Sequence, residues 1–179
     1  DLIKTVEREH MVINLNQQGE LKRGLNEFQD QELNIEELVD LGANCLNLLA
    51  LAEAKNCLES ARSKYQEQNI DLDSELYIKL LTKLGDTYNY LGENNNALLN
   101  YQALEEYLKD KNQPSKLATA YRKSAQIHLK KYNLETAEDL IERSLRLAQE
   151  EGTKEQLFLT YFLICLIQER KKEYSPQQW

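Results

Sequence analysis

The sequence predicts an all-α chain, an α-solenoid of antiparallel helical hairpins, and three observations predict it. Leu, Glu, Lys, Gln, Asn and Ala dominate, with two Pro and six Gly among 179 residues. Straight-chain residues keep most of their rotamer freedom on a helix, so this composition favours helix. No segment shows the strict apolar–polar alternation of a half-buried strand. The third observation is a repeat. A small residue in an apolar segment is followed twelve positions later by Ala at Gly42/Ala54, Gly85/Ala97 and Ala125/Ala137.

Taken in order, the elements are helices near residues 2–17, 20–32, 35–49, 51–68, 74–91, 94–111, 115–131, 134–151 and 154–172. Residues 1–34 read either as one more degenerate hairpin, Val12 and Gly24 keeping the spacing, or as N-terminal helices outside the array. The next pair carries Leu38, Leu41, Gly42 and Cys45 on its first helix and Ala54, Leu58 and Ala61 on its second. The third carries Leu81, Leu84, Gly85 and Tyr88, then Ala97, Tyr101 and Leu104. The fourth carries Tyr121, Ser124, Ala125 and His128, then Ala137, Ile141 and Ser144. The last helix repeats the opening of that set as Tyr161, Ile164 and Cys165, 40 residues after Tyr121, Ser124 and Ala125. Small side chains let paired helices nest closely, and the bulky residue four positions after each Ala lies one turn along the same face.

The joints agree. Residues 91–96 (LGENNN) read as a turn within one hairpin, Gly92 suiting a left-handed helix end, and residues 131–135 occupy the same place in the next copy. Residues 69–74, 111–115 and 151–153 separate hairpins. Ser115 and Thr153 are expected N-caps, with Pro114 stopping the helix before it. Residues 173–179 form a polar tail. Its Trp179 reads either as part of a frayed terminus or as a ring docked on an apolar patch left open by an incomplete last repeat.

These residues resemble the tetratricopeptide repeat (TPR), whose pattern is an apolar residue, Leu-Gly and an aromatic on helix A, then Ala, an aromatic and a second small residue on helix B. Leu81, Leu84, Gly85, Tyr88, Ala97 and Tyr101 carry the likeness best, and it covers about residues 35–172. The copies are spaced by 43 and 40 residues (Ala54, Ala97, Ala137), against about 34 for the common repeat. The helix-ending Pro of the common repeat is absent. Repeats of this length resemble the sensory domains of bacterial peptide-pheromone regulators, and the scaffold repeats of the LGN and kinesin-light-chain types. The resemblance implies a right-handed superhelix in which helix A of each repeat lines a concave groove.

Counted from the packing Gly or Ala, the groove-facing residues of the best repeat are Lys79, Thr82, Asp86, Asn89 and Tyr90. The next repeat offers Thr119, Arg122, Gln126, Leu129 and Lys130, and the last helix offers Leu159, Phe162, Leu166, Glu169 and Arg170. The first contributes Glu36, Val39, Ala43, Leu46 and Asn47. Asn89 and Gln126 each supply a donor and an acceptor for a peptide main chain. Arg122 and Lys130 read two ways, as a carboxylate clamp or as solvated charges on a polar face. Leu129, Phe162 and Leu166 suit apolar side chains. The carboxylate clamp of chaperone-binding TPR domains is excluded, because Lys83 and Lys123 stand where one of its Asn residues belongs.

The formal charge of −8 repels phosphate, which argues against nucleic acid and anionic membrane as direct partners. The longest apolar run, residues 161–167, is far short of the roughly 18 residues of a membrane span. Cys45, Cys57 and Cys165 match no metal spacing and fall on apolar stripes, so they read as buried structural thiols in a reducing, cytoplasmic setting. No nucleophile elbow, phosphate-cradling loop or HExxH occurs, and His10 and His128 are isolated. The carboxylates Glu105, Glu106, Glu135, Glu138, Asp139 and Glu142 are expected on outer faces, and the tyrosines at repeat positions in helix packing. No catalytic residue, cofactor or metal is assigned. The expected function is a non-catalytic scaffold binding a peptide or protein segment in its groove, as the regulatory part of a larger bacterial signalling or transcription-regulating protein. The alternative is an assembly scaffold that mediates oligomerisation without a peptide ligand.

Overall fold

The computed structural model describes residues 33–68 and 74–174. The expected helices at 2–17 and 20–32, and Trp179, lie outside the described residues. Seven helices fill the described residues, with no strand among them: α1 (Ile35–Asn47), α2 (Leu51–Gln68), α3 (Ser74–Tyr90), α4 (Asn94–Lys109), α5 (Pro114–Lys130), α6 (Leu134–Glu151) and α7 (Lys154–Tyr174). The fold is all-α. The chain divides into two compact units, Asp1–Gly92 and Glu93–Trp179.

In the first unit α1 and α2 form a hairpin whose closeness depends on Gly42. A Cβ built there would stand 2.5 Å from Leu58 Cγ and 3.4 Å from the Ala54 carbonyl oxygen. The small residue of helix A thus meets the Ala and bulky residue of helix B, as the repeat spacing predicts. Ala54, Leu58 and Ala61 are fully buried. Gly85 and Ala97 fall in different units, so Gly42 is where this approach is measured.

The second unit repeats the arrangement with Ala in place of Gly. Ala125 of α5, Ala137 and Ile141 of α6, and Leu163 and Ile167 of α7 share one buried cluster. Tyr101, Leu104 and Ser144 are buried as well, and the Ser144 hydroxyl donates to the Ala118 carbonyl at 2.8 Å. A helix carrying Ser approaches a helix backbone this closely only because Ala118 adds no more than a methyl.

The caps follow local chemistry. Asn34 and Glu37 form a reciprocal capping box at the start of α1. At α7, Thr153 Oγ1 accepts from Gln156 N while Thr153 N donates to Gln156 Oε1. Thr153 therefore caps as expected, each box satisfying two orphan backbone donors. Ser115 does not. The α5 helix begins one residue earlier with Pro114 in its first turn, where a missing N–H costs nothing, and Gln113 stands at the cap.

Gly92 takes φ +76°, as its turn requires. Leu49 (φ 57°) and Tyr132 (φ 59°) hold the same left-handed conformation without being glycine, and they sit 43 residues before and 40 after Gly92. The hydrogen bonds show why. Ala50 N donates to Cys45 O and Leu49 N to Leu46 O, and Asn133 N to His128 O and Tyr132 N to Leu129 O. Both are Schellman caps, whose closing residue must be left-handed.

Candidate functional site

In each unit the helices expected to line a groove lie side by side. In the first unit α3 neighbours α1, and Lys79 of α3 pairs with Asp40 of α1. Both side chains are about half exposed, so the bridge orients more than it stabilises, at roughly 0–1 kcal/mol. One predicted ligand-facing cation therefore ties two helices together. Thr82, Asp86 and Asn89 are half-buried along α3, and Tyr90 is exposed at its end. In α1, Val39, Ala43 and Leu46 are buried, so the first repeat offers no open apolar wall there. Apolar residues at three of the five expected positions account for that.

In the second unit α7 runs beside α5, fastened near their first turns. Gln156 Nε2 donates to the Ser115 carbonyl at 3.3 Å and to Thr119 Oγ1 at 3.1 Å, and the Ser115 hydroxyl donates to Gln156 Oε1 at 3.0 Å. Beyond that junction Arg122 and Gln126 are half-buried and Lys130 is exposed on α5. Leu129 and Leu166 are half-buried, resting on the shared core of α5, α6 and α7 with part of their surface open. Phe162 is exposed and stacks on Phe158, ring centroids 6.5 Å apart. The second unit thus brings six predicted site residues onto two neighbouring helices. The five on α3 belong to the first unit.

Four expectations about chemistry-bearing residues resolve differently from one another. Cys45 and Cys57 are buried in the α1–α2 contact. The hydrogen bond between the two thiols, together with burial, pushes Cys45 up, while the same bond draws Cys57 down. Cys165 is exposed, contrary to expectation. Tyr161, read as a packing residue like the buried Tyr88, Tyr101 and Tyr121, is exposed as well. Both corrections have one cause: the described helices leave that side of α7 largely open, α6 reaching it only where Gln149 donates to the Tyr161 hydroxyl at 3.3 Å. Glu105 also departs from expectation. It accepts a hydrogen bond from the Ser124 hydroxyl at the α4–α5 contact, and burial raises its carboxyl above the ordinary value despite that bond. His128 is half-buried with its imidazole lowered, first by burial and then by Lys131. Among the described residues, no three His, Cys, Asp or Glu side chains group as a metal site, and no helix is long and apolar enough to cross a membrane. Lys123 lies with its ammonium 5.8 Å from the centre of the Tyr101 ring, a helix–helix contact that sequence reading assigned to no role.

No protein-family model and no curated protein matches the sequence. Among solved structures, the chain is similar to the crystal structure of BtubC (BKLC) from P. vanneervenii, with a TM-score of 0.58 and 14% identity. The match covers 96% of this chain and 76% of that one. The likeness is one of fold. It supports the all-helical architecture of the described residues, and at this identity it carries no ligand or site residue across.

Proposed function

We propose that the chain is a non-catalytic tetratricopeptide-like docking scaffold. It holds a peptide or protein segment against the adjoining helix-A faces and serves as the regulatory part of a larger signalling or transcription-regulating protein. One observation carries the reading. Gln156 fastens α7 beside α5, and these two neighbouring helices carry Arg122, Gln126 and Lys130 on one and Phe162 and Leu166 on the other. A guanidinium, an amide and partly open apolar side chains on two parallel rails can hold a carboxylate, a main chain and an apolar side chain of one extended segment. A cytoplasmic setting belongs to the same reading, since buried neighbouring thiols such as Cys45 and Cys57 persist unoxidised in a reducing compartment.

The test is a display library of short peptides selected on the full chain, with the selected peptide measured by calorimetry. Arg122→Ala is expected to weaken binding roughly tenfold or more, the scale of a hydrogen bond to a charged group. Gln126→Ala on the same helix should weaken it roughly threefold or more. Equal binding by both variants and the parent chain would remove the groove from consideration.

A further inference from the structure

The last helix shows to solvent a stripe that its counterpart buries. A shift of 40 residues lays α7 on α5, so that Ala118, Tyr121 and Ala125 correspond to Phe158, Tyr161 and Cys165. On α5 the first two are 2% and 9% exposed and Ala125 is fully buried, beneath α6. On α7 Phe158 is 67% and Tyr161 48% exposed, and Cys165 is exposed too. The helix keeps an apolar face that the described residues leave largely open, Gln149 of α6 reaching it only at the Tyr161 hydroxyl, 3.3 Å away.

What covers it must differ from α6. Ser144 reaches the Ala118 backbone because Ala118 is small. Phe158 fills the corresponding position with a ring stacked on Phe162, which holds off a helix seated as α6 is. The occupant must instead set a small residue opposite Phe158. The α7 helix itself meets this requirement when it is turned antiparallel about the midpoint between Tyr161 and Phe162. Phe158 then faces Cys165, Tyr161 faces Phe162, and Lys154 faces Glu169, each pair occurring twice because a two-fold contact uses the same patch on both copies. At about 100° per residue all six positions lie within roughly 60° of one line along the helix. Charge selects the direction. Antiparallel pairing joins Lys154 to Glu169 at both ends, whereas parallel pairing would set Lys154 against Lys154 and Glu169 against Glu169. We propose that this stripe of α7 is a homodimer interface, packed antiparallel on α7 of a second copy. The pairing needs no peptide in the groove, so it stands or falls separately from the docking function.

Light scattering across a concentration series tests it on the full chain. The expected mass rises to twice the 20.9 kDa of one chain. Phe158→Glu is expected to hold the mass at one chain with unchanged helix content, since Phe158 is largely exposed. Lys154→Glu should weaken association roughly tenfold through two rim pairs, and adding Glu169→Lys should restore it. Register has its own readout. Phe158→Cys sets a thiol opposite Cys165 of the other copy, so oxidised glutathione should give a disulfide-linked dimer. The unaltered chain should not cross-link, because its two Cys165 residues are offset by seven positions, about 10 Å along the helices. Three results overturn the proposal: a single-chain mass at every concentration; cross-linking of the unaltered chain, which means parallel pairing; or a single-chain mass with Phe158→Glu shifting the emission of Trp179, which means residues 175–179 cover the stripe.

Discussion

Replacing Gly42 by Ala gives the sharpest test of how the helices pair. On an open helix the change stabilises by about 1 kcal/mol, because Gly gives up more backbone freedom than Ala. Here the added methyl would stand 2.5 Å from Cγ and 2.8 Å from Cδ2 of Leu58. Leu58 is fully buried, and the atom struck first is its branch point, so the side chain cannot yield by swinging into solvent. Overpacking a filled core costs about 1–3 kcal/mol, and a contact this short belongs in the upper half of that range. The net expectation is a loss of about 1–2 kcal/mol. For a unit of this size that is a fall of roughly 5–15 °C in Tm, read by circular dichroism, with faster amide exchange confined to α1 and α2. Leu58→Ala removes the obstacle. In that background Gly42→Ala should stabilise by about 1 kcal/mol, so the two changes couple by roughly 2–3 kcal/mol. A Gly42→Ala chain that melts higher than the parent would refute the reasoning, because it would mean the hairpin does not close on this glycine.

Three further outcomes follow from other parts of the chain. A Cβ at Gly92 meets nothing within 4 Å, so Gly92→Ala should cost only the left-handed backbone, about 1–2 kcal/mol in a urea titration, and an unchanged midpoint would contradict that account. Glu105 holds its proton to a higher pH folded than unfolded. Above its ordinary value of 4.5 the folded chain therefore binds more protons, and stability falls as pH rises through the raised value. Glu105→Gln keeps an oxygen to accept from Ser124; it should be more stable than the parent at neutral pH and lack that slope, whereas a parallel stability–pH curve would exclude Glu105 as its source. With a thiol reagent, dilute native protein should react promptly at Cys165 alone and at all three cysteines in denaturant, and the prompt phase should slow as α7 pairs at higher concentration. Prompt labelling of Cys45 or Cys57 would contradict their burial.

Helix positions were legible because their signals are local. Thr153 caps α7 and Gly92 marks a left-handed turn, as expected, whereas Pro114, read as a stop, lies in the first turn of α5. Leu49 and Tyr132 carry no such signal, since neither side chain favours positive φ. Only the repeat register points to them, at the same 43 and 40 residue steps as the alanines. Cys165 and Tyr161 were misread for a different reason. Periodicity identifies which face of a helix is apolar, but burial of that face depends on another element lying over it, and the described residues leave that face of α7 largely open. The charged residues around Glu105 predict a solvated carboxylate. Its partial burial comes from α5 crossing the same side of α4, where Ser124 meets it. Site positions counted from the packing residue could not foresee that Lys79 reaches a neighbouring carboxylate, Asp40, 39 residues away.

The two surfaces of the second unit meet at Phe162. It occupies on α7 the repeat position that Arg122 holds on α5, and it stacks on Phe158 at the border of the exposed stripe. A segment docked along α5 and α7 would press on one edge of this ring, while a second copy of α7 would cover the other. Side-chain packing of this kind has discrete arrangements, so fixing the ring from one side restricts what the other side can accept. Any such coupling is reciprocal: if a bound segment changes the affinity of α7 for its twin by some factor, pairing changes the affinity for that segment by the same factor. If both proposed surfaces hold, one shared aromatic residue would let occupancy of the groove bear on assembly without moving a helix.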